Sequence, residues 1–145
     1  MTLNIDIDSI IPHRAPIKII SEVIEAREDT GVTVAEVNPA WPLFADGAVN
    51  ALVLIEAVAQ TAAVIEGYKR IKQGKDSVKG WLVGVKSARF HLEKIPAGTK
   101  ITVFVESKYS LDNYAVIEGT VKSENNILAT MVLQALRLNE DDIKQ

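Results

Sequence analysis

Apolar residues follow two rhythms along this chain. IKIISEVIEA from Ile17 and TGVTVAEV at 30–37 are β-branched runs, and the second alternates Val32, Val34 and Glu36 against Thr33, Ala35 and Val37 as a half-buried strand does. EDTG at 28–31 is turn chemistry and closes the two into a hairpin. From residue 51 the alternation stops, and ALVLIEAVAQTAAVIEG carries apolar residues on every side of a helix. That helix is expected to start near Val49 or Asn50, with Asn50 as its cap. It should run about 22 residues, or roughly 33 Å, to the region of Gly74. Its first four turns must be enclosed by protein, whereas EGYKRIKQGK is polar enough to emerge into water. The strand rhythm then returns in four runs, at 80–92, 99–110, 114–123 and 127–138, with IPAG, LDN and ENN linking them as an antiparallel meander.

Two stretches fit neither period. Residues 5–11 form an acidic and apolar lead-in to a turn from Pro12 to Pro16. NPAWPLFADG at 38–47 has two prolines and a closing Asp-Gly, so irregular backbone is expected there; an apolar loop bearing Trp41, Leu43 and Phe44 needs a surface to cover. The expected architecture is α+β, one domain over 1–145: an antiparallel sheet of about six strands wrapped around one long apolar helix.

Composition narrows the function classes. A length of 145 residues with 48% hydrophobic content suits one domain with one core. Cysteine is absent, which removes disulfides, thiolate nucleophiles and cysteine-containing metal sites. The net charge is −3, and lysines and arginines come in ones and twos apart from Lys69-Arg70-Ile71-Lys72, which suits the negative pole of a helix; nucleic-acid binding is not expected. Residues 51–65 are too short and polar for a membrane span, which needs about 20 apolar residues. The amino-terminal stretch lacks a signal-peptide pattern, so a cytoplasmic setting is expected.

The anomaly is Glu56, an ionisable group within the greasiest segment, with Gln60 one turn later. Two readings stand. The pair can bond to each other and to neighbouring backbone, fixing helix register, since a buried carboxyl without a partner would cost several kcal/mol. Alternatively, Glu56 faces an apolar pocket that disfavours its charged form and keeps a proton available for transfer.

Three ordered blocks carry a closer likeness. IPHRAPIKIISEV at 11–23, VLIEAVAQTAA at 53–63 and GVKSARFHLEKIPAGTKI at 84–101 resemble the β-hydroxyacyl-acyl-carrier-protein dehydratases of the FabZ type, which have the hotdog fold. Asp46-Gly47 ahead of the helix is similar to a divergent branch tied to aryl-polyene synthesis. The pattern departs from the family in one place. Members with the standard site carry Gly-His-Phe-Pro before the helix, whereas this chain reads LFADGAVN, without the histidine that acts on substrate. His13 and His91 match family positions in the opening turn and in a strand, where structural roles are expected.

Dehydration of a 3-hydroxyacyl thioester needs a base for the α-proton, a donor to the thioester oxygen and an acid for the departing hydroxyl. The resemblance implies a cofactor-free and metal-free enzyme in which Glu56 is the acid or positions water. Asp46 is the nearby candidate for a base. Backbone amides at the helix start, from Val49 through Asn50 to Leu52, would meet the oxyanion. Phe44 with Trp41 and Leu43 would line an acyl tunnel, and Gly47 and Gln60 would contact the substrate beside it. The substrate would ride on acyl carrier protein or as a CoA thioester, and Arg89, ahead of Lys86 and Lys94, is the expected contact for an acidic carrier. Sites of the family lie between subunits, and one copy leaves an edge strand and an apolar helix end bare. At least a homodimer or higher even oligomer is therefore implied, or a heterodimer in which a second hotdog subunit supplies what this chain lacks. A non-catalytic acyl-binding subunit and a thioesterase are the alternatives on the same fold.

Overall fold

Residues 6–7, 18–74, 79–111 and 113–138 are described by the structure, a computed structural model. In chain order the elements are β1 (Glu22–Ala26), β2 (Thr30–Glu36), β3 (Phe44–Ala45), β4 (Ala48–Asn50), α1 (Val53–Lys72), β5 (Lys79–Phe90), β6 (Lys94–Pro96), β7 (Lys100–Leu111), β8 (Tyr114–Ser123) and β9 (Asn126–Leu138). Six strands form the main antiparallel sheet in the order β1-β2-β7-β8-β9-β5, and β3-β4-β6 make a small second one. The opening turn at 12–16 and His13 lie outside the described residues.

Strand alternation sorts each run into two faces. Ile101, Val103 and Val105 of β7, Ala115, Ile117 and Val121 of β8, and Ala129, Met131 and Leu133 of β9 are buried under α1. Their neighbours Thr102, Thr120, Thr130 and Val132 are half-buried on the outer face. In β2 the inward set is the small one, Gly31, Thr33 and Ala35, while Val32 and Val34 face outward. The helix explains that choice, because it comes down close. A Cβ on Gly31 would lie 2.0 Å from Ile65 Cδ1, and one on Gly119 would lie 2.4 Å from Val58 Cγ1. Thr33 has the only inward hydroxyl of β2. Thr61 Oγ1 donates to Ala57 O at 2.8 Å, so the 2.7 Å contact between the two hydroxyls is made by Thr33 donating to Thr61.

The strand runs fall close to their expected places, with three corrections. β7, β8 and β9 form a meander, but β5 does not precede β7 in it. Residues after β5 enter β6, which pairs with β4, and β5 itself pairs with the far side of β9. Next, the helix starts at Val53, not at Val49 or Asn50. Val49 and Asn50 are taken by β4, and Asn50 Oδ1 accepts from Leu52 N at 2.9 Å, closing a turn ahead of the helix. Its N-cap is Leu52, without a side-chain bond. Finally, part of the stretch at 38–47 is regular: Phe44↔Val49 and Ala45↔Ala48 pair around Asp46 (φ +53°) and Gly47 (φ +83°). Two successive left-handed residues make the tight hairpin turn that Asp-Gly favours.

The helix is 20 residues, about 30 Å, and ends as its charges direct. Lys69, Arg70 and Lys72 occupy the last turn, and Gly74 (φ +69°) follows as the left-handed stop. α1 packs on β2, β7 and β8 and only lightly on β9. Two surfaces are therefore incompletely covered among the described residues. Val85, Lys86, Ser87, Ala88 and Arg89 of β5 are exposed in succession, so both faces of that edge strand meet solvent. Along α1 the stripe Leu52, Ile55, Glu56, Ala59, Ala62, Ala63 and Glu66 is incompletely buried at helical spacing.

Candidate active site

Glu56 lies on that stripe, one turn into the helix and half-buried. Gln60 stands at i+4 and is fully buried at 0% exposure. Its Nε2 donates to Glu56 Oε1 at 3.0 Å, while its Oε1 accepts from Ile19 N at 2.8 Å and Ile20 N at 3.4 Å. The amide therefore ties the carboxylate to the segment entering β1, which is held by Ile20 and Val23 packing on Val64. The internal bond of the first reading is present, and the carboxylate is half-buried on the side of the helix that carries the incompletely buried stripe.

The loop before the helix is a different matter. Asp46 is exposed at the hairpin tip, and no hydrogen bond or ion pair joins it to another described side chain. Gly47 accepts from Ala97 N at 3.0 Å, which pins the hairpin to the turn after β6. Phe44 is half-buried against the core, and Val49 is within it at 0% exposure. Asn50 N donates to Leu43 O, Ala51 N to Glu93 O and Leu52 N to Asn50 Oδ1, so the amides expected to face an oxyanion at 50–52 are taken by the chain itself. Trp41 is buried, but Leu43 (φ +62°) is 57% exposed and Leu52 53% exposed. A left-handed leucine is uncommon, and here it holds an apolar side chain out from the protein beside the helix entrance.

Arg89 is on the outer face of edge strand β5, opposite Thr130, and Lys86 falls at the bulge between Val85 and Ser87. Lys94 is elsewhere, paired with Asn50 in the small sheet. His91 is exposed just past β5 with its backbone N–H on Leu128 O. Two open troughs of about 500 and 310 Å³ run over the outer sheet face, lined respectively by Arg89, Thr120 and Thr130 and by Val32, Phe104 and Glu106. Neither includes Glu56. Among the described residues no cluster of three or more His, Asp or Glu could hold a metal ion. The backbone of Ile19 as the anchor of Gln60 carries no sequence signal, since the two are 41 positions apart.

The profile of a family described as ApeP dehydratase matches residues 5–145. A 3-hydroxyacyl-[acyl-carrier-protein] dehydratase FabZ from Pseudothermotoga lettingae is 31% identical over 150 residues, covering 95% of this chain and 99% of that protein. Among solved structures, the dehydratase heterocomplex ApeI:P from Xenorhabdus doucetiae superposes with a TM-score of 0.90 at 20% identity, covering 99% of this chain and 97% of the other. A hypothetical thioesterase from Streptococcus pneumoniae, solved with coenzyme A, superposes with a TM-score of 0.65 at 12% identity over 81% of this chain and 85% of that one. The shared architecture is the hotdog fold.

Proposed function

Because the chain belongs to the ApeP-like dehydratase family, we propose that it works in a dehydratase for 3-hydroxyacyl thioesters, contributing Glu56 to a site that a second hotdog subunit completes. The FabZ relative acts, by its name, on acyl-carrier-protein thioesters, which supports the same carrier here. We place the reaction in the cytoplasm. No helix among the described residues is long and apolar enough to cross a membrane.

One observation carries this reading: Gln60 holds a half-buried carboxylate in place on the helix stripe that the described chain covers only in part. The reaction then divides between subunits. A base removes the α-proton, Glu56 delivers a proton to the departing 3-hydroxyl, water leaves, and the 2,3-double bond of the enoyl thioester forms. The amides at 50–52 are engaged within the chain, and Asp46 is at a solvent-facing turn, which supports a second subunit as the source of base and oxyanion donors. The helix stripe from Leu52 to Ala63, with Leu43 beside it, is apolar enough to border an acyl chain once covered.

The test is turnover of a 3-hydroxyacyl carrier protein, read by mass as loss of water, with the chain alone, with an active hotdog dehydratase subunit from the same cells, and with Glu56→Gln in each. We expect activity in the mixture and a drop of about 10² to 10⁴-fold for the variant. Full activity of the Glu56→Gln mixture would overturn the role of Glu56. Full activity of the chain alone would overturn the shared site, and release of a free thiol would make it a thioesterase.

A further inference from the structure

The last turns of α1 carry the densest positive charge in the sequence. EGYKRIKQGK at 66–75 holds Lys69, Arg70, Lys72 and Lys75 against one acid, Glu66. Lys69, Arg70 and Lys72 occupy the final turn, where the negative pole of a helix favours cations. Two further features are not explained by that pole. Ile71 stands among these cations 55% exposed. Lys72 Nζ lies 5.1 Å from the centre of the Tyr68 ring, which holds that ammonium along the helix surface. A cationic rim around an exposed apolar side chain suits a protein partner that presents carboxylates around an apolar spot.

The cluster is also in register with Glu56. Arg70 comes 14 positions later, about 21 Å along the axis at 1.5 Å per residue. That separation is just under four turns, so Arg70 returns to within about 40° of Glu56 around the helix. Ala59, Ala63 and Glu66 lie between them on the same half-buried stripe. A carrier-borne substrate spans a similar length. From the phosphodiester on the carrier, through the pantetheine arm and thioester, to the 3-hydroxyl is a run of about seventeen bonds. It is equivalent to between five and six backbone residues, or about 20 Å when extended. A phosphate near Arg70 therefore sets the departing hydroxyl beside Glu56. The other candidate cations lack this geometry. Arg89 is opposite Thr130 on the outer sheet face, whereas α1 covers the inner one. Lys94 pairs with Asn50 ahead of the helix, next to Glu93.

We propose that an acidic acyl carrier docks on the carboxyl-terminal turn of α1, with its carboxylates on Lys69 and Lys72 around Ile71 and its phosphodiester near Arg70, and that its arm runs back along the helix to Glu56. This rests on the dehydratase reading above and adds the docking surface and the direction of entry.

The test measures binding, so it does not depend on turnover. Fluorescently labelled acyl carrier protein from the same cells, with and without its arm, is titrated with this chain assembled with the active hotdog subunit of the turnover assay. Anisotropy gives Kd at about 50 mM and about 500 mM NaCl. Lys69→Glu/Lys72→Glu should weaken binding at least about tenfold at low salt and less at high salt, with circular dichroism confirming the fold. Ile71→Ser should weaken it alike at both salts. Arg70→Gln should weaken the arm-bearing carrier more than the carrier without its arm, and equal losses would overturn the path of the arm. An unchanged Kd for Lys69→Glu/Lys72→Glu would overturn the docking surface, and a tenfold loss in Lys86→Glu/Arg89→Glu would then place the carrier at β5. Dehydration of the same acyl group carried as a CoA thioester decides the dehydratase reading separately.

Discussion

Replacing Gln60 with leucine keeps the volume and removes its polar contacts with Ile19, Ile20 and Glu56. Ile19 N–H, on a residue only 4% exposed, loses its 2.8 Å acceptor. An orphaned buried donor costs about 1–3 kcal/mol. Glu56 loses a 3.0 Å donor, but water reaches this half-buried group, so that part contributes about 1 kcal/mol. The sum is about 2–4 kcal/mol. For 145 residues the unfolding entropy is about 0.3 kcal/mol/K, so Tm should fall by about 7–13 °C. Urea and thermal denaturation followed by circular dichroism, at one fixed protein concentration, measure it. Gln60→Glu is the informative companion, because it keeps an acceptor for Ile19 and sets a second carboxylate against Glu56. Its destabilisation should be present at neutral pH and shrink as pH falls through the carboxylate range, where the repulsion is titrated away. A loss under about 0.5 kcal/mol for Gln60→Leu would refute the reasoning: Ile19 would then have another acceptor, and Gln60 would not anchor the acid.

Gly119→Ala should cost about 1–3 kcal/mol, because its new Cβ meets the β-branched Val58, which is fully buried and has nowhere to turn. Restoration of most of that loss in Gly119→Ala/Val58→Ala, beyond the sum of the single changes, is the double-mutant result that checks it. Asp46→Asn should leave stability within about 0.5 kcal/mol and turnover of the two-subunit enzyme unchanged, since asparagine tolerates the same left-handed turn, whereas Asp46→Val should cost about 1–2 kcal/mol. A folded Asp46→Asn enzyme slower by about 100-fold would instead make Asp46 the base.

What could be read from the residues depended on range. The long strands β7, β8 and β9 and the helix announce themselves by period, and their ends fall within a few positions of the expected ones. The destination of β5 does not, because its partner β9 begins 36 residues later and β6 intervenes. Phe44–Ala45 is too short to show any alternation, although Asp46-Gly47 carries the turn signal. The apolar run continues smoothly from Val49 into α1, so periodicity alone extends the helix backwards over residues that Asn50 and the small sheet hold outside it. Glu56 and Gln60 are legible as an i, i+4 pair. The amides at 50–52 looked open only because Leu43 O and Glu93 O could not be placed beforehand.

The strand order also sets a timetable for synthesis. β5 leaves the ribosome well before β9, and at roughly 5–20 residues per second it must wait several seconds for the ladder it will join. Through that interval a nascent strand lies open to neighbouring chains, and Lys86 and Arg89 on it set like charges against the same strand of a sibling on a polysome.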